Sequence, residues 1–390
     1  MDDVTPAIVI GNHVTSLHII RSLGEKGIPT YLIHNDKLCV ARFSRYCKGF
    51  FKSPSFITEK KQFLEYLFSI AGKESLKRAI LIPTNDDTVY ILSQNKVALE
   101  EHFVVPLPDW KIISRAADKK ITLKIAKENG IPIPKSVYPE NVEDMLDNIE
   151  YLQFPAVIKP SIGKKYYYQS GVKMHLVKNK KQAKYYYEKI AAIMGKENII
   201  VQEYIPGGMD QLYNYGSVFK GGEPYGIFLG KKIRQHPRDF GVGTAAMTVD
   251  EPELERLGSL LLKSCGYEGI GYVEFKKDFR DGKFKLIEIN PRHWNFVDLS
   301  IYAGVDLPYN LYLYAMGKRI PKQHTKAGLI WIHWWADFGQ TLMEFLKGKE
   351  NLLKYFKSIK GEKKFAVMSI KDPKPFIIES LILPYLFLIR

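Results

Sequence analysis

Cysteine is scarce in this chain: Cys39, Cys47 and Cys265 are the only three in 390 residues. They are too few and too scattered for a disulfide framework or a thiolate zinc site, so a reducing cytoplasm is the expected compartment. Long apolar runs are missing as well, and nothing approaches the roughly 18–20 apolar residues that cross a bilayer. The opening MDDVTPAIVIG is acidic and enters only a short apolar stretch, unlike a secretion signal. Glycine is absent where a dinucleotide would need it. The turn after the first apolar stretch reads GNHVTS, with one glycine where the phosphate-binding fingerprint has three, which argues against a dehydrogenase. There is no internal repeat and no low-complexity tract. A credible Ser–His–Asp or Cys–His set is also lacking, so His13, His236 and His293 are read as structural or substrate-facing.

What is present is a globular composition, 46% hydrophobic and 25% charged, which excludes a wholly disordered chain. Lys and Arg outnumber Asp and Glu by 57 to 42, a net charge of +15 with a pI near 9.3. That balance favours anionic partners such as nucleotide phosphates or acidic metabolites. The charge is diffuse, in short clusters such as Lys164-Lys165 and Lys363-Lys364, and suits a solvated cationic surface equally well.

The first segment alternates strand and helix signals: Ala7–Gly11 as strand, Val14–Leu23 as helix, Thr30–His34 as strand, Lys60–Ala71 as helix, Ala79–Pro83 as strand, then the polar turn TNDD and a helix from Thr88. This βαβα order predicts a parallel sheet with helices on its faces. From Asp118 the character changes. A helix over Asp118–Asn129 ends at Gly130 and IPIP, followed by strands at Pro155–Lys159, Gly171–Val177 and Ile199–Glu203, with a helix over Lys181–Met194 between the last two. Further strands are expected around Tyr213–Phe219, Tyr225–Gly230, Gly271–Lys277 and Phe284–Asn290, with a helix at Glu253–Cys265. Antiparallel strands mixed with helices make this an α+β region. The aromatic-rich WIHWWADF and an apolar ending, FIIESLILPYLFLIR, follow Pro321.

The sharpest chemical signal is the pair GYVEFKKD and KFKLIEIN, two strands joined by a turn that ends in Gly282. If Arg280–Gly282 is a three-residue loop, Phe279 pairs with Lys283 and Glu274 comes opposite Glu288, with Asn290 on the face of Glu288. Two carboxylates across a ladder repel and call for a cation. With an amide oxygen they form an all-oxygen set that suits Mg²⁺ rather than zinc. A solvated hairpin face with Lys276 and Lys285 nearby is an equal reading, and a glycine turn can carry a bulge that slips the register by one residue. Lys159, at the end of a proline-flanked strand and before a loop with Gly163, Lys164, Lys165 and Gly171, suits a polyphosphate or a snorkelling terminus. Lys119, opening a helix after Asp118, is equally open. In VQEYIPGGMD a strand exit offers main-chain groups to the edge of a purine, and Asp210 stands where it can accept from ribose hydroxyls.

The order Lys119, Lys159, Glu203-Tyr-Ile-Pro-Gly with Asp210, Glu274, then Glu288-Ile-Asn290-Pro-Arg292 resembles the ATP-grasp enzymes. The resemblance implies a pre-ATP-grasp Rossmann-like domain over 1–117 and an ATP-grasp domain over 118–320, made of two α+β subdomains (118–203 and 204–320) that clamp ATP. Residues 321–390 then form an aromatic-rich extension. It implies that Lys119 and Lys159 contact ATP phosphates, that Glu203, Tyr204 and the Ile205 backbone hold adenine, and that Asp210 holds the ribose. By the same resemblance Glu274, Glu288 and Asn290 bind Mg²⁺ (or Mn²⁺), Arg292 faces the acyl phosphate or its carboxylate precursor, and Lys232 and Arg234 add cations at the γ-phosphate. The phosphate lid departs from the glycine runs of many such enzymes: SIGKKYYYQSG has two glycines and three tyrosines. That lid, and Asp372-Pro373-x-Pro375, look more like the D-aspartate-ligase-like carboxylate–amine ligases.

The implied activity is an ATP-dependent carboxylate–amine ligase working through an acyl phosphate on small-molecule substrates, such as an amino acid or a cell-envelope precursor, in the cytoplasm and without nucleic acid. Lysines, arginines and Mg²⁺ suit phosphoryl transfer, which needs charge neutralisation more than a covalent catalyst. Two rivals remain: a bicarbonate-activating or carbamoyl-phosphate-type enzyme of the same fold, and a non-catalytic basic scaffold. For the C-terminal segment, docking onto the core is favoured over a peripheral contact with an anionic membrane, and Pro384 would break a helix through its middle.

Overall fold

The computed structural model describes residues 4–11, 13–236, 241–348 and 351–383. Its first sheet is parallel, with order β3-β2-β1-β4, from β1 (Ala7–Ile10), β2 (Thr30–His34), β3 (Cys47–Lys52) and β4 (Ile80–Pro83). Alternation along β1 divides two cores. Ile8 and Ile10 pack with Phe63 and Leu67 of the helix Lys60–Ala71, while Ala7 and Val9 pack with Leu17, Ile20 and Leu23 of the helix His13–Gly24. Both faces are therefore covered, as parallel sheets require. β3 was not expected: CKGFFK is a half-exposed edge strand with little apolar periodicity. The single glycine of GNHVTS is explained by packing. Gly11 sits at φ +101°, and a Cβ there would come within 2.3 Å of the Asn85 side chain, which caps the helix Asp86–Gln94.

The second sheet, antiparallel with order β5-β8-β6-β7, contains β5 (Ser136–Val137), β6 (Ala156–Pro160), β7 (His175–Val177) and β8 (Ile199–Glu203). Ala156, Ile158, Ile199 and Val201 bury one face against Ala183, Tyr187 and Ile190 of the helix Lys180–Met194. The expected strand over Gly171–Val177 shortens to β7. Lys164–Ser170, expected as a loop, is a helix closed by Gly171 in the left-handed conformation. Once the glycine run of a flexible lid is replaced by KKYYYQS, nothing prevents a helical turn, and Tyr166 buries itself to hold it.

The third sheet has seven strands: β9 (Leu212–Lys220), β10 (Glu223–His236), β11 (Val242–Thr248), β12 (Gly269–Lys277), β13 (Phe284–Asn290), β14 (Ile330–Ile332) and β15 (Lys363–Phe365), in order β13-β12-β9-β10-β11-β14-β15. β10 is longer than expected and β11 was missed, because VGTAAMT is rich in small residues and carries almost no apolar alternation. By contacts the chain forms two compact units: Ser114–Tyr213 with Val273–Ile289, and the remainder of the described residues. The residues beyond Pro321 thus share a unit with the first sheet, and part of the WIHWWADF stretch becomes β14.

The C-terminal residues are fastened by polar contacts. Asp372 accepts from Arg21 Nε (2.9 Å), Ser44 Oγ (2.7 Å) and the Arg45 amide (2.9 Å). In the helix Lys374–Leu381, Phe376 stacks on Trp335, Ser380 accepts from the Trp335 indole (3.0 Å), and Glu379 lies 2.7 Å from His333 Nε2 with both groups buried. The described part of the segment docks, and Pro384 with the six residues after it lies outside the described residues. Deletion from Phe376 onward strips His333 and Trp335 of these partners. It should lower the thermal midpoint by several degrees, read by calorimetry against the full chain.

Candidate functional site

Asp118 caps the helix Lys119–Glu128 by accepting from the Lys120 amide (2.9 Å), and this sets Lys119 at the first helical position. The Lys119 amide donates to the Ser161 carbonyl (3.1 Å) just past β6, and its Nζ lies 3.6 Å from Glu288 Oε2. Lys159 is on the face of β6 away from the apolar core. It is only 4% exposed, and its Nζ donates to Gln202 Oε1 (2.9 Å), while Gln202 Nε2 donates to Ser136 Oγ (2.9 Å). Burial pushes the Lys159 ammonium down to about 7; the nearby Lys119 adds to this and Glu288 opposes it. Lys119, Lys159 and Glu288, distant in sequence, therefore share one electrostatic site. One buried and one half-buried lysine that share a single carboxylate are suited to a polyanion.

Glu203 closes β8, and its carboxylate is fully engaged. It accepts from the Lys135 amide (2.9 Å), Lys285 Nζ (3.0 Å) and Arg280 Nη2 (2.9 Å). Burial pushes its pKa up, but the Lys135 amide, Lys285 and Arg280 more than offset this, and the net shift is downward. Asp278 joins the network through Arg280 Nε (2.8 Å) and Lys285 Nζ (2.7 Å), and Arg280 above all holds its carboxyl well below the usual range. Lys276 Nζ donates to the carbonyls of Ile205 (2.8 Å) and Gly207 (3.0 Å) and lies over the Tyr204 ring. Asp210 is exposed in a short turn beyond them. The network of Asp278, Arg280 and Lys285 escaped the sequence reading. The alternating charges of KKDFRDGKFK were its only signal, and they look like a solvated face.

The turn between β12 and β13 is one residue longer than expected. The Asp278 amide donates to the Lys283 carbonyl (2.9 Å) and the Gly282 amide to the Asp278 carbonyl (2.7 Å), so Asp278, not Phe279, faces Lys283. Gly282 supplies the left-handed φ of +72° that this turn needs. Counted from there without a bulge, Glu274 falls opposite Ile287 and on the other face from Glu288, so a metal site shared by the two needs a one-residue bulge between the turn and Glu288. Glu274 and Glu288 are both half-buried.

In the other unit, Arg234 is bidentate to buried Asp337 (Nε–Oδ1 2.8 Å, Nη2–Oδ2 2.7 Å) and donates to Ser358 Oγ (2.5 Å). Thr244 Oγ1 donates to the same Asp337 (2.8 Å). Lys232 is buried on β10, and a register shift separates it from Arg234. Arg292 donates from Nε to Asp86 Oδ1 (2.6 Å), from Nη2 to Asn290 Oδ1 (3.1 Å) and from Nη1 to the His293 carbonyl (3.2 Å). Asp86 stands in the first turn of its helix, where the N-terminal dipole favours a carboxylate. It was passed over as part of a polar turn. Burial pushes His293 down to about 3, so it stays neutral.

Residues 116–210, which hold Lys119, Lys159 and Glu203, match the RimK-like ATP-grasp domain family. That stretch is similar to the ATP-grasp enzymes. A D-aspartate ligase of Enterococcus faecium is 25% identical over 304 residues, covering 73% of this chain and 70% of that protein. The fold is similar to the biotin carboxylase domain of a Hydrogenobacter thermophilus 2-oxoglutarate carboxylase, solved with MgADP and bicarbonate (TM-score 0.67, 17% identity, covering 84% of this chain and 74% of that one). It is also similar to an L-amino acid ligase of Bacillus licheniformis (TM-score 0.61, 14% identity, covering 80% and 74%).

Among the described residues no cluster of three or more His, Cys, Asp or Glu side chains is disposed to hold a metal. The expected set has only two carboxylates. Its chemistry nonetheless fits Mg²⁺: Glu288 and Glu274 are half-buried hard oxygen donors, and Asn290 follows Glu288 on the same strand.

Proposed function

We propose that the chain is an ATP-dependent carboxylate–amine ligase. The γ-phosphoryl group of ATP passes to a substrate carboxylate oxygen, giving an acyl phosphate and ADP. An amine then attacks the acyl carbon, forming the C–N bond, losing a proton and expelling phosphate. The observation that carries this reading is the convergence of Lys119, buried Lys159 and Glu288 within one unit. In this reading Lys119 and Lys159 hold phosphate oxygens, and Asp210 takes the ribose hydroxyls. Tyr204 and the main chain of Glu203 and Ile205 meet the adenine, because the Glu203 carboxylate is already engaged by three donors. Glu274, Glu288 and Asn290 would hold Mg²⁺, which would supply charge neutralisation for phosphoryl transfer. Lys232 adds a cation, and Arg234 acts mainly through Asp337, which fixes its guanidinium.

The amine half of the reaction is supported by the pairing of Arg292 with Asp86. A carboxylate that approaches Arg292 arrives beside Asp86, an acceptor for the N–H of an incoming amine. Activation of bicarbonate is the second reading, favoured by the fold shared with the carboxylase domain. An acceptor screen decides between them: ADP release and product mass are followed with ATP, Mg²⁺ and either amino acids plus carboxylates or bicarbonate alone. Release that needs both a carboxylate and an amine, with a product heavier by their sum less water, is expected. Release with bicarbonate alone would replace the ligase reading by the carboxylase one.

A further inference from the structure

Exposed large apolar side chains are concentrated near the C-terminus. Leu342, Met343, Phe345, Leu346, Leu353, Phe356, Ile377 and Leu381 are all exposed, Leu346 at 75%, Leu353 at 74% and Phe356 at 50%. They lie on three short helices of one unit: Trp334–Leu346, Leu352–Ser358 and Lys374–Leu381. The first helix touches both others, through Phe338 against Tyr355 and through Trp335 against Phe376. At about 100° per residue, Leu342, Met343 and Leu346 fall opposite Asp337 and Thr341, the buried positions of that helix. Leu353 and Phe356 lie one turn apart on the second helix, and Ile377 and Leu381 one turn apart on the third. An apolar surface of this extent is uncommon where only water covers it.

Charge decides what covers it. Lys347, Lys354, Lys357, Lys360, Lys371 and Lys374 are exposed in the same stretch. Of the described acids there, Asp372 and Glu379 are buried in internal pairs, Glu344 lies 3.5 Å from Lys347, and Glu362 is exposed but lies 3.3 Å from Lys326. Apolar side chains flanked by lysines, on short helices that do not span, match a surface that lies in the headgroup region of an anionic bilayer. Among the described residues no helix is long and apolar enough to cross a membrane, which agrees with attachment from one side. We propose that this face docks the protein on an anionic lipid surface. The inference is independent of the catalytic reading.

The test is sedimentation of the full chain with vesicles of phosphatidylcholine alone or mixed with phosphatidylglycerol, at low and high salt, beside the oligomeric state in solution. Wild-type protein should sediment with the acidic vesicles, at least tenfold more weakly in high salt and hardly at all with neutral ones. The variant Leu346→Ser/Leu353→Ser/Phe356→Ser alters only exposed positions and should weaken binding at least tenfold without loss of helical signal. Lys354→Glu/Lys357→Glu, which leaves the apolar residues intact, should weaken binding to acidic vesicles alone. Equal sedimentation of wild type and both variants would overturn the proposal. So would a wild type that ignores lipid, including one that self-associates and becomes monomeric in the serine variant, since the face would then be an interface between copies of this chain.

Discussion

Glu288→Gln should reduce ATP turnover by roughly a hundred- to thousandfold, the scale of losing one charged group that stabilises a transition state, while the far-ultraviolet spectrum stays that of the wild type. Glu288 is half-buried, sits 3.6 Å from Lys119 and is the one nearby charge that opposes the drop in the Lys159 ammonium. Glutamine keeps the shape and removes the charge. On the proposed metal role the substitution should weaken Mg²⁺ binding, and it should also lower the Lys159 ammonium further, since Glu288 opposes that drop. Two readouts check this: ADP release at matched Mg²⁺, and the pH at which nucleotide binding falls away, which should move to lower pH. Wild-type turnover in the variant would remove Glu288 from the site.

Lys159→Ala should weaken nucleotide binding by roughly ten- to a hundredfold, since a hydrogen bond from a charged donor contributes about 1.5–3 kcal/mol. Its titration gives a second handle. The folded protein releases this proton near pH 7, whereas the unfolded chain keeps it to about 10.5. Between those values the unfolded state binds more protons, so stability rises with pH across the window, and the cost of burying the charge is felt in full below pH 7. Lys159→Met should therefore be most stabilising, relative to wild type, below pH 7, with the advantage fading as the pH approaches 10. Binding of a polyanion favours the charged lysine, so at pH 8 it should take up a proton, seen as a dependence of the calorimetric heat on buffer ionisation. Loss of that uptake in Lys159→Ala, with affinity reduced, places Lys159 on the ligand. An unchanged affinity would move the phosphate site elsewhere.

Much of the architecture was legible along the chain, because regular elements announce themselves locally. Thr30–His34, Lys60–Ala71, Ile199–Glu203 and Phe284–Asn290 appear within the expected limits, each bounded by glycine, proline or polar turn residues. The elements that were missed have weak local patterns: β3 is a polar edge strand, β11 is built of small residues, and Lys164–Ser170 looked like a lid loop because of the glycines at its two ends.

The sequence by itself determined the alternating strand-helix opening, the charge and the succession Lys119, Lys159, Glu203, Glu274, Glu288, Asn290, Arg292, since residue type and spacing are properties of the chain. Tertiary structure alone decided which charges are already taken. Arg234 belongs to Asp337, Arg292 to Asp86, and Glu203 to Arg280 and Lys285, partners far away in sequence. It also decided that Lys159 is buried beside Lys119, which sets its proton affinity, and that the C-terminal residues complete a sheet rather than trail behind it. The reason is physical. Hydrophobic period and turn chemistry act over a few residues, whereas the energy of an ion depends on its burial and its nearest opposite charge, and both are defined only when distant segments meet.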